Sequence, residues 1–112
     1  MFGNQIKEVD APEFAQWVND ANHKLRVIDV RQMQEIAMGT VPKAEALPLH
    51  LLPDHAHALP PDEKLVVVCH SGARSAQACQ YLQQLGFSNV YNLRGGMMGW
   101  AQSGFPAHQL SA

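Results

Sequence analysis

Cys69-His70-Ser71-Gly72-Ala73-Arg74-Ser75 is the stretch of this chain whose residue types could do chemistry. The cysteine stands where the apolar run Leu65-Val66-Val67-Val68 stops. A tight loop of small residues turns successive backbone N–H groups inward and forms an anion-binding nest. The helix that should follow adds the positive end of its dipole, and Arg74 adds a full charge. All three favour a thiolate at Cys69, and the thiolate is the nucleophilic form. Gly72 and Ala73 are small enough to let the loop turn and the cradle stay open. Ser71 and Ser75 can hydrogen-bond the sulfur or cap the helix, and capping is the ordinary role of Ser75. Arg74 at a helix start opposes the dipole, which argues for an anion to bind. A preformed thiolate needs no base, so His70 reads as a side chain at the pocket rim.

Other reactive side chains read as packing or surface. Cys79 falls on the apolar side of the next helix, a packing position rather than that of a cysteine that resolves Cys69. Two cysteines are too few for a disulfide framework. His50, His55 and His57 do not follow a zinc spacing, so a solvated helix face is expected there, with no metal and no cofactor.

The elements that must carry the loop follow from pattern. The chain has 112 residues, 46% hydrophobic and 16% charged, with a net charge of −2. This size suits one domain, 1–112, that buries roughly 65% of its unfolded surface. With that charge nothing suggests a nucleic-acid surface, and no apolar run reaches the ~20 residues of a membrane span. The first residues lack a basic-then-apolar signal, so a cytoplasmic protein is expected. Ile6 to Val9 reads as a first strand. Asp10, Pro12 and Glu13 start a helix with a capping box, and Phe14, Trp17, Val18 and Ala21 share its apolar face. Val27 to Val30 is a strand, Gln32 to Met38 a short helix, and Ala46 to Leu49 an edge strand containing Pro48. Leu51 to Ala58 is weakly helical. Leu65 to Val68 does not alternate, as suits a strand covered on both faces. Ser75 to Leu85 is a helix with Gly86 at its C′ position. Val90 to Leu93 is the last strand, and Met97 to Ser103 a last helix. Such alternation means an α/β fold with a parallel sheet and helices on both faces. Ligands of such sheets bind outside the carboxyl ends of the strands, which is where Cys69 falls.

Four segments resemble the rhodanese (sulfurtransferase) domain family: Val27-Ile28-Asp29-Val30-Arg31 with Glu35, Gly39-Thr40-Val41-Pro42-Lys43-Ala44, the loop Cys69 to Ser75, and Leu93-Arg94-Gly95-Gly96 with Trp100. Thr40 and Lys43 stand where the family usually has His and Gly. The resemblance implies a three-layer fold with a five-stranded, mostly parallel sheet in the order 3-2-4-5-1. It implies that Met97 and Met98 border the active-site mouth, and that Asp29, Arg31 and Glu35 form a scaffold of ion pairs and hydrogen bonds.

Loop length points to the reaction. Cys69 to Arg74 spacing is C-x4-R, one residue shorter than in the tyrosine phosphatases that the loop also resembles. The shorter loop fits a single sulfur atom rather than a tetrahedral phosphate. A phosphatase would also need a general acid, for which Asp54 and Asp62 are the nearest candidates. The expected function is therefore sulfurtransfer through a Cys69 persulfide. The donor is thiosulfate or a persulfide, and the acceptor a thiol, cyanide or a protein. The alternatives are a sulfur-carrier module between partner proteins and a phosphatase-like hydrolase. A monomer is expected, with no nucleic-acid or membrane partner.

Overall fold

Val66, Val67 and Val68 have no exposed surface, because the strand they form is covered on both faces. The computed structural model describes residues 5–110. Its elements are β1 (Lys7–Val9), α1 (Ala11–Asn19), β2 (Arg26–Asp29), α2 (Met33–Ala37), β3 (Ala44–Ala46), α3 (Leu52–His55) between two 3-10 turns, β4 (Leu65–Val68), α4 (Ala73–Gln84), β5 (Val90–Leu93) and α5 (Gly96–Gln102). The five strands form one sheet in the order β1-β5-β4-β2-β3, the expected order read from the other edge. Every pairing is parallel.

Successive strand residues alternate between faces, and the core divides accordingly. Ile28, Val30, Leu65 and Val67 pack with Leu52 and Ala56 around α3 and with Ala78, Cys79 and Leu82 of α4. Val27, Val66, Val68 and Leu93 pack with Phe14 and Ala15 of α1 and Trp100 of α5. The layers therefore place β4, the strand that leads into the loop, at the centre of both cores.

Local chemistry sets the ends of the elements. Asp10 caps α1 by accepting from the Glu13 N–H at 2.9 Å. The helix stops at Asn19, and Ala21, expected on its apolar face, is exposed. Asp20 is the reason: its carboxylate accepts from the Asn22 N–H at 2.9 Å and turns the chain. β3 forms two residues before the expected position. Pro48 has no N–H to give, and beyond Ala46 only the Leu47 and Leu49 N–H groups bond back, to Asp29 and Val30 carbonyls. At its other end, α4 closes with the Phe87 N–H on the Leu82 carbonyl and the Gly86 N–H on that of Gln83, a complete Schellman motif.

The turn into β3 departs from the family pattern in a way that shows. Lys43 has φ +66 and is the one non-glycine among the described residues in the left-handed region. Next to it, Thr40 exchanges backbone hydrogen bonds of 2.8 Å with His108, so the tail after α5 straps this turn.

Candidate active site

β4 ends at Val68, and Cys69 follows directly, buried. The chain turns through residues 70–72 into α4. Gly72 makes that turn at φ +107, where a side chain would be strained, and its N–H donates to Cys69 Sγ at 3.0 Å. Ser75 Oγ lies 3.2 Å from the same sulfur. Burial pushes the Cys69 thiol up. The Ser75 hydroxyl and the N–H groups of Ser75, Gly72 and Ser71 favour the thiolate more strongly, and the net shift is downward. Ser75 caps nothing. The N-cap is Gly72, without a side-chain bond, and Ser75 sits inside the first turn with its hydroxyl against the sulfur.

Cys79 shows what the same burial does without those donors. Desolvation, with smaller contributions from Glu8 and Cys69, pushes its thiol up to about 12. It is free and buried, in the packing position expected for it.

The loop rests on α5. The Met97 N–H donates to the Cys69 carbonyl at 2.9 Å and the Met98 N–H to the His70 carbonyl at 3.0 Å. A Cβ on Gly96 would lie 2.3 Å from the Cys69 carbonyl oxygen and 2.7 Å from the carbonyl of His70. Only glycine lets the helix dock this closely. Met98 is 43% exposed, whereas Met97 packs against the second core. His70, Ser71 and Ala73 are exposed along the loop.

Arg74, in the first turn of α4, is engaged by a partner. Its guanidinium donates to both carboxylate oxygens of Glu35, at 2.6 and 2.9 Å. These bonds outweigh partial desolvation and hold the Glu35 carboxyl down at about 2. A cavity of about 270 Å³, lined by Val30, Gln32, Pro48, Leu49, His50 and Arg74, opens beside this pair. Asp29 and Arg31 form a separate buried pair. Arg31 reaches Asp29 Oδ2 at 2.7 Å and the Gly39 carbonyl at 2.7 Å, and the Thr40 hydroxyl donates to Asp29 at 2.7 Å.

Sequence reasoning passes over Asn92 and Glu8. Asn92 is buried in β5, and its Oδ1 accepts from the Ser75 hydroxyl. Its Nδ2 donates to the Gly72 carbonyl at 3.2 Å and to Glu8 Oε2 at 3.3 Å. Glu8 also accepts from Arg94 Nε at 3.1 Å. The signal available was an asparagine inside an apolar strand, a type that strands disfavour. Gly96 was legible only as a turn residue. His50, His55 and His57 are all exposed. Among the described residues, no group of three His, Cys, Asp or Glu is placed to hold a metal.

Comparison with known proteins gives the lineage of this arrangement. The Rhodanese-like domain family model matches residues 10–103. The chain is 44% identical to a sulfurtransferase of Allochromatium vinosum over 90% of its length and 94% of that protein. It is 37% identical to the thiosulfate sulfurtransferase GlpE of Pseudomonas aeruginosa over 87% of its length and 86% of that protein. The crystal structure of a rhodanese-related protein from Thermoplasma volcanium superposes with a TM-score of 0.82 at 28% identity, covering 93% of this chain and 99% of that one. With its parallel five-stranded sheet and the cysteine loop at the carboxyl end of β4, the chain belongs to the rhodanese-like domain family.

Proposed function

We propose that the protein is a sulfurtransferase in which Cys69 carries the transferred sulfur as a persulfide. The observation that carries this reading is the downward-shifted Cys69 thiol at the base of its loop, with the Gly72 N–H 3.0 Å from Sγ. The Cys69 thiolate attacks the outer sulfur of thiosulfate. A Cys69 S–S bond forms, the sulfur–sulfur bond of the donor breaks, and sulfite leaves with the electron pair. The product on the enzyme is an anionic persulfide, which backbone N–H groups of residues 71–75 and the α4 dipole stabilise. An acceptor thiolate or cyanide then takes the outer sulfur and returns Cys69 as thiolate. The two half-reactions are ping-pong, and neither leaving group needs a general acid.

Arg74, whose charge acts on Cys69, draws the anionic donor to the loop and exchanges Glu35 for it. His70 and Met98 line the approach. The phosphatase alternative loses one candidate acid on placement: Asp62 precedes β4, whereas Cys69 follows it, so the length of the strand lies between them.

The test is the intact mass of the protein before and after excess thiosulfate. Wild type should gain one sulfur atom, lose it to cyanide, and gain nothing as Cys69→Ser. An unchanged mass with both thiosulfate and a low-molecular-weight persulfide as donor would overturn the reading.

A further inference from the structure

The hydroxyl of Ser75 has one proton and faces two acceptors, Cys69 Sγ at 3.2 Å and Asn92 Oδ1. The orientation of the Asn92 amide is fixed by chemistry. The Gly72 carbonyl and the Glu8 carboxylate can only accept, so the NH2 group must face them and Oδ1 must face Ser75. When Cys69 is a thiol, every group is satisfied: S–H donates to Ser75, Ser75 to Asn92, and Asn92 to Gly72 and Glu8. When Cys69 is a thiolate, it can only accept. Ser75 must then turn its proton to the sulfur and leave Asn92 Oδ1 without a donor.

We infer that Asn92, held in orientation by Glu8 and the Gly72 carbonyl, is a positioning residue that competes with Cys69 for the Ser75 proton and so sets how readily the nucleophile ionises. This rests on the reading of Cys69 as the nucleophile. The competition has a use in that cycle. Once Sγ bears a second sulfur, its negative charge moves outward to the terminal atom. The Ser75 proton then returns to Asn92, which tethers it away from the carried sulfur, and the same amide holds the loop through Gly72. Asn92 thus ties the hydroxyl position to the state of the sulfur.

The other titratable groups near this corner are Arg74 on α4, which feels Glu35 and Asp29, Cys79 on the same helix, Glu8 on β1 with Arg94 after β5, and His70 beside Cys69 in the loop. A mutant cycle between positions 92 and 75 holds all of them constant. The experiment is the pH profile of Cys69 alkylation by iodoacetamide in wild type, Asn92→Leu, Ser75→Ala and the double variant. Leucine keeps the shape of asparagine and cannot accept. The expected result is a Cys69 pKa lowered by about one unit in Asn92→Leu, a tenfold gain in thiolate below the pKa. Ser75→Ala should raise it, and the Asn92 effect should vanish in the double variant. A Cys69 pKa unchanged or raised in Asn92→Leu, or a shift that persists without Ser75, would overturn the inference.

Should Asn92→Leu not fold, Asn92→Val replaces it. Valine suits a buried strand and likewise cannot accept from Ser75, so a Ser75-dependent fall in Cys69 pKa is again expected. Its absence would equally overturn the inference. Alkylation needs no sulfur donor. A Ser75-dependent shift in a protein that takes up no sulfur would sink the sulfurtransferase reading and leave this hydrogen-bond competition standing.

Discussion

Glu35 is where a single residue makes the molecule sensitive to acid. Its carboxyl sits at about 2, against an ordinary 4.5, because Arg74 donates to both of its oxygens. A depressed carboxylate pKa adds stability that is fully present above the unfolded value and lost as pH falls through the folded one. The window here runs from about pH 4.5 down to about 2. Both side chains are 36% exposed, so solvent screening limits the effect to under ~1 kcal/mol. Denaturation midpoints measured across that window should fall more steeply in wild type than in Glu35→Gln. The Asp29–Arg31 pair is different in kind, with 0% and 6% exposure. Arg31→Met would leave a carboxylate in the core without its countercharge, and urea melts should show a loss of about 3–5 kcal/mol.

Among the elements, the turn before β3 and the start of α5 show opposite ways of meeting a backbone demand. Lys43 takes a left-handed conformation at φ +66, which disfavours an L-residue by about 1–2 kcal/mol. Glycine removes that strain but adds unfolded-chain entropy, so Lys43→Gly should stabilise by up to ~1 kcal/mol in the same melts. At Gly96 the chain allows no such compromise. A methyl there would meet the Cys69 carbonyl at 2.3 Å, so Gly96→Ala must move the loop. The expected readout is a Cys69 alkylation rate at neutral pH at least ~10-fold below wild type, as the Gly72 and Ser75 donors lose alignment. These elements also mark what a sequence can carry. The Cys69 loop was legible because its chemistry is contiguous, and β4 because valine after valine needs cover on both faces. In the sequence β3 reads two residues late because Leu47 and Leu49 are more apolar than the alanines that do the pairing. Asn92 and Glu8 stayed hidden because their meaning depends on strands 84 residues apart in the chain lying side by side.

For the whole molecule, the sheet is a partition between two cores. Leu82 packs in one and Phe14 in the other, with no shared partners. Leu82→Ala should cost about 2–5 kcal/mol and Phe14→Leu about 1 kcal/mol. Their effects should add to within ~0.5 kcal/mol in denaturant melts of the double variant; a larger departure would mean that strain crosses the sheet. The strand order has a further consequence, for the order of events during synthesis. β1 pairs only with β5, Val9 beside Leu93. At ~5–20 residues per second, the first strand waits about 4–17 s on the ribosome for its neighbour. Cys69 emerges within that interval, before Asn92 and Gly96 exist to shape its surroundings. The donors that draw the Cys69 thiol down therefore take their final places only once nearly all of the domain has been made.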